Sequence, residues 1–92
     1  MIDDILNKVS EKLEIPVPMI CNTLIQDRNT VEARQLFSHF AYQSGIEVKR
    51  IAHKLDSCEY TVRLYLKAVK DKIKLVCYKE FHQKYNIING HN

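Results

Sequence analysis

Apolar residues recur at spacings of three and four along most of the chain, the signature of helices with one buried face. Ile2, Ile5, Leu6, Val9 and Leu13 set the first such series. Asp3 and Asp4 stand where a helix N-terminus favours negative charge, so the spacing predicts a helix over residues 3–14. Ile15-Pro16-Val17-Pro18 then predicts extended backbone, because each proline removes a donor and disfavours helix in the residue before it. Pro18 can open a brief second helix through the apolar residues 19–25, with a loop at Gln26-Asp27-Arg28-Asn29.

Thr30 is the expected N-cap of a third helix, whose Ala33, Leu36, Phe37, Phe40 and Ala41 share a face, and Ser44-Gly45 ends it. A fourth helix of about two turns begins at Glu47 and offers Val48, Ile51, Ala52 and Leu55 to the core. Asp56-Ser57 breaks it, with Ser57 or Cys58 expected just before the fifth helix. Val62, Tyr65, Leu66, Val69, Ile73 and Val76 mark that fifth and longest helix over residues 59–76. Tyr78, Phe81 and Tyr85 suggest a short aromatic helix folded back on the core, before a polar end, Asn89-Gly90-His91-Asn92, that frays.

The expectation is therefore an all-α fold, a compact bundle of five to six helices in a single domain spanning residues 1–92. Composition agrees. The 92 residues suffice for one core, and two glycines with two prolines are too few for the turns of a small barrel or sandwich. At 46% hydrophobic and 27% charged, the chain has the balance of a globular domain. No apolar run approaches the roughly 20 residues that span a bilayer. The first residues also lack the basic-then-apolar order of a signal peptide, and Cys21, Cys58 and Cys77 are too dispersed for a disulfide framework or thiolate metal site. A cytoplasmic protein without a membrane partner is expected.

The fourth and fifth helices, with the break between them, match the spacing of a helix-turn-helix, whose second helix enters the DNA major groove. Counting from Val48, apolar residues occupy the first, fourth and eighth places, the small Ala52 the fifth, and Val62 the fifteenth. Asp56 holds the ninth, the turn, where glycine is usual and aspartate is tolerated because the backbone there is left-handed. With Val62, Tyr65, Leu66 and Val69 inward, Glu59, Tyr60, Arg63, Leu64 and Lys67 face outward and Thr61 lies at the margin. Arg63 and Lys67 can reach bases or phosphates, Tyr60 can donate to a phosphate, and Glu59 can accept from a cytosine amino group.

Charge is unevenly distributed. Residues 1–33 carry −3, residues 34–56 +2 and residues 57–92 +4, so a polyanion would meet the later segments first. Seven cations, Arg28, Arg34, Lys49, Arg50, Lys54, Arg63 and Lys67, lie on the segments that would border a duplex.

These residues resemble the C-terminal DNA-binding domain of the bacterial replication initiator DnaA. The resemblance covers residues 2–76 and rests on Val31-Glu32-Ala33-Arg34-Gln35 after a basic-polar loop, the helix-turn-helix at residues 48–69, and the opening helix with its proline-containing joint. It implies a Trp-repressor-like arrangement and a part in replication initiation or its regulation. It also implies that Arg34 and Gln35 contact phosphates and that Arg28, in the preceding loop, enters the minor groove. Where the family begins its recognition helix with Asp-His-Thr-Thr, this chain reads Cys58-Glu59-Tyr60-Thr61, and only the last agrees. A different target sequence, or no DNA target, stays open. The expected contacts are Arg28, Arg34, Gln35, Lys49, Ser57, Cys58, Glu59, Tyr60, Thr61, Arg63 and Lys67.

Other chemistry finds little support. The four histidines show no four-residue pairing that would place two imidazoles on one helix face, so no metal or other cofactor is expected. Cys58, His53 and Glu59 are close in sequence, but short polar stretches produce such neighbours by chance, and no enzyme is expected. A glycine-rich phosphate loop is missing, so no nucleotide partner is expected either. The rival to duplex DNA is a module that keeps the fold and binds another protein or a second copy, motivated by Glu59, the exposed Leu64 and the modest net charge of +3.

Overall fold

A computed structural model describes residues 1–90; of the polar end, His91 and Asn92 lie outside the described residues. The described chain is all-helical. Its six helices are α1 (Ile2–Leu13), α2 (Val17–Ile20), α3 (Arg28–Gln43), α4 (Val48–Lys54), α5 (Glu59–Lys74) and α6 (Lys79–Asn89). α3 is the central rod, packed by α1, α2, α4 and α5, while α6 closes the bundle against α1 and α5. Leu6, Val9, Ile20, Leu36, Phe37, Ile51, Leu55, Val62, Val69, Phe81 and Ile88 form one contiguous core.

The helix ends follow from local chemistry. α1 stops at Glu14, whose left-handed backbone (φ 57°) precedes Ile15-Pro16, where helix cannot continue. The Ser10 hydroxyl donates to the Ile15 carbonyl at 2.6 Å and fixes the exit. α3 ends in a Schellman cap: Gly45 is left-handed (φ 92°), its N–H donates to Tyr42, and that of Ile46 reaches back to Ala41. Ile46, buried, supplies the apolar contact that accompanies this motif. α5 ends where His82 of α6 places its Nε2 3.0 Å from the Lys72 carbonyl and 3.2 Å from that of Leu75.

Four expectations need correction. Thr30 does not cap α3. Asp27 does, with Oδ2 accepting the Thr30 N–H at 3.1 Å and Oδ1 the Thr30 hydroxyl at 2.8 Å, so the helix starts within the stretch expected to be a loop. These bonds hold the Asp27 carboxyl below the usual range. α2 spans Val17–Ile20 rather than residues 19–25, because Pro18 fits the first turn of a helix and the carbonyls beyond it are drawn to another partner. α5 stops at Lys74, leaving Val76 81% exposed instead of in the core. α6 is longer than the aromatic spacing implied and runs on to Asn89, with Ile88 buried. Phe81 is buried and Tyr85 packs on Phe40, ring centroids 5.1 Å apart, so this segment does fold back as expected.

The partner of the α2 carbonyls is Arg34. Wholly buried, its guanidinium donates to the backbone oxygens of Ile20 (2.7 Å), Ile25 (2.6 Å) and Asn22, with a longer approach to Met19 (3.4 Å). One side chain thus supplies the hydrogen bonds that residues 19–25 would otherwise find by remaining helical. A second buried charge ties three helices together. Glu32, 2% exposed, meets Lys84 of α6 at 2.7 Å, Lys72 of α5 at 3.5 Å and Arg28 at 3.9 Å.

Candidate nucleic-acid interface

The joint between α4 and α5 is built by the same rule that ends α3. Asp56 is left-handed (φ 53°), its N–H donates to His53 at 3.1 Å, and the Ser57 N–H reaches the Ala52 carbonyl at 2.8 Å. This is a Schellman cap with aspartate in the glycine position. Cys58, extended (φ −111°), is then the N-cap of α5, the second of the two residues expected just before that helix. Ser57 is partly buried and its backbone is engaged in the turn. The Cys58 thiol lies 3.2 Å from the Thr61 hydroxyl, and hydrogen bonding to Thr61 holds it below the usual thiol range.

Behind the joint, Ile51, Ala52, Leu55 and Val62 are buried, and Val48 is partly buried. In front, Tyr60 is 69% exposed and Lys49, Glu59, Arg63 and Lys67 also face solvent, with Thr61 at the margin. The separation follows from helical geometry: residues three, four and seven apart share a face, and Val62 and Val69 anchor the opposite one. Arg63 forms an ion pair with Glu59 at 3.3 Å, one turn apart on the same helix. Among the described residues, Lys49, Arg50 and Lys67 take part in no ion pair.

The expected contacts divide into two groups. Lys49 lies near the start of α4 and residues 57–67 on the turn and first half of α5, the two helices that the joint connects, while Arg28 is exposed at the start of α3, drawn to Glu32. Arg34 is a correction, and Gln35 beside it is largely buried. Arg34 is spent on backbone carbonyls inside the protein, and Gln35, 8% exposed, accepts from Lys72 at 3.0 Å. The Arg34 side chain is not free to meet a phosphate, since a buried guanidinium would have to break its own hydrogen bonds to do so.

The structure adds a feature the spacing alone did not single out. Lys49, Arg50, His53 and Lys54 of α4 line a groove of about 400 Å³ floored by Ile2 from the start of α1. Lys54 is held there by an ion pair with Asp3, which raises the lysine pKa and lowers that of the aspartate through their hydrogen bond. The pairs Lys49/His53 and Arg50/Lys54 are four apart and visible in sequence. That Ile2 lies beside them is a long-range packing fact. The result is a positively charged flank along α4, the helix that leads into the turn at Asp56.

Among the described residues no group of His, Cys, Asp and Glu comes together in a way that could hold a metal ion, and no helix is long and apolar enough to cross a membrane. The chain matches no family profile, and no curated protein or solved structure is significantly similar to it.

Proposed function

We propose that this protein binds duplex DNA through the joint of α4 and α5, acting as a helix-turn-helix of the kind found in the C-terminal domain of DnaA, with a role in replication initiation or its regulation. One observation carries the reading: a left-handed turn at Asp56 separates two helices that are anchored from behind by Ile51, Leu55 and Val62 while Tyr60, Arg63 and Lys67 stand in solvent. In this arrangement the first helix crosses the phosphate backbone and the second reads base edges. Lys49 and Arg50, in no ion pair among the described residues, supply the phosphate contacts. The leading turn of α5 carries the selectivity, with Glu59 accepting from cytosine and Arg63 donating to guanine.

A titration of labelled duplexes against the purified protein over a range of salt tests this. Log affinity should fall linearly with log salt, by about 0.9 per phosphate contacted, and Lys49→Gln or Arg50→Gln should flatten that slope by about one contact each. Affinity indifferent to both substitutions would refute the docking. Selection from randomised duplexes then defines the target.

A second reading is a protein-binding joint that has lost DNA contact. It is favoured by the Glu59–Arg63 pair, which neutralises the leading turn, and by Leu64, 47% exposed beside it. That reading predicts no retained duplex and a shallow salt response.

A further inference from the structure

A second concave surface lies on the flank of α5, away from the turn. It is a groove of about 480 Å³ between α3, α5 and α6, with apolar walls from Tyr42, Leu66, Ile73 and Tyr85 and with Lys70 and Lys74 on α5. Tyr42 is 54% exposed and presents its ring to solvent at the groove. Neither lysine takes part in an ion pair among the described residues. They continue the series Arg63, Lys67, Lys70, Lys74, whose spacings of four, three and four put a basic stripe about 17 Å long on one side of α5.

We infer that this groove is a docking site for an acidic amphipathic helix of a partner protein, distinct from the joint that carries the proposed DNA contacts. The choice of occupant follows from charge and polarity together. A duplex presents phosphates and would gain nothing from the four apolar walls, whereas an amphipathic helix fills them with its aliphatic residues and sets its carboxylates against Lys70 and Lys74. Burial of the aliphatic anchors supplies affinity, and the lysines supply orientation and rate of encounter. The site requires no rearrangement of the core, because its walls are already held by α3, α5 and α6.

The test uses a fluorescein-labelled designed peptide, about fourteen residues long, with leucines along one helical face and glutamates flanking that face, titrated against the full chain by anisotropy. Saturable binding is expected, weakened about tenfold or more by Lys70→Glu with Lys74→Glu, two exposed or rim positions whose exchange leaves the fold intact by circular dichroism. A matched peptide with serine for leucine should bind at least about tenfold more weakly. Amide shifts mapped by NMR should cluster on α3 and α5 around Tyr42 and Leu66, and persist when Lys49 and Arg50 are replaced by glutamine. Equal binding of the two peptides, indifference to the lysine exchanges, or shifts confined to the α4–α5 joint would overturn the proposal. So would a groove closed by a second copy, seen as concentration-dependent shifts that exclude the peptide.

Discussion

The Nε of Arg34 donates to the carbonyl of Ile20 at 2.7 Å, joining the middle of the bundle to the end of its shortest helix. Among the described residues Arg34 forms no ion pair; the carbonyls of residues 19–25 meet this buried charge instead, including those at the C-terminus of α2, where a cation is favoured. Arg34→Ala should therefore destabilise the fold by about 3–5 kcal/mol, by adding a cavity to several orphaned carbonyls. Arg34→Lys should lose less, because one ammonium can satisfy some of those oxygens but lacks the planar fork. Thermal unfolding followed by circular dichroism measures both. An Arg34→Ala protein that melts like the parent yet fails to bind DNA would return Arg34 to the interface.

Asp56 occupies a left-handed conformation that costs an L-residue roughly 1 kcal/mol, and its side chain is exposed. Asp56→Gly should be neutral or stabilising by a few tenths of a kcal/mol, the relief of strain offsetting the greater freedom of the unfolded chain. Asp56→Val should cost about 1–2 kcal/mol, since a β-branched residue tolerates that backbone poorly. Denaturant titration of the two variants decides the matter; equal stability would mean the turn had changed shape.

His39 sits edge-on to Phe40 (5.1 Å) and against Tyr85 (5.4 Å), and burial pushes its pKa below the ordinary histidine value. Its neutral form is thus favoured in the fold, and the unfolded chain binds the proton more readily. Stability from this group is complete above pH 6.5 and is lost as pH falls through the lower folded value. His39→Phe should flatten the unfolding midpoint between pH 7 and pH 5 relative to the parent. An unchanged pH profile would place the loss of stability elsewhere.

Lys67 is exposed and takes part in no ion pair among the described residues, whereas Arg63 is held by Glu59. Lys67→Gln should leave the melting temperature unchanged and weaken all duplexes alike, while Arg63→Gln should alter the preference between sequences. Glu59→Gln, which releases Arg63 and removes a negative charge, should strengthen binding to unrelated duplexes. Binding to a panel of selected and scrambled duplexes separates the three, and a uniform effect from Arg63→Gln would remove it from base reading.

Much of the α4–α5 joint was legible because it is local. Val48, Ile51, Ala52, Leu55, Asp56 and Val62 lie within fifteen consecutive residues, and helical periodicity plus one residue tolerant of left-handed backbone predicts their roles. The expected start of α3 falls late because Asp27 and Thr30 are both competent caps, and the hydrogen bonds running from Thr30 to Asp27 choose between them.

Spacing alone determined that the chain is a set of amphipathic helices, where each turns its apolar side inward, and that Tyr60, Arg63 and Lys67 share an outward face. Tertiary structure decided which polar residues are consumed in holding the bundle together. Arg34 and Lys67 are both cations on helices, and nothing in their neighbours distinguishes the one that binds backbone carbonyls from the one that meets solvent. The difference is made by segments distant in the chain, because a charge leaves water only where the fold brings enough compensating dipoles around it.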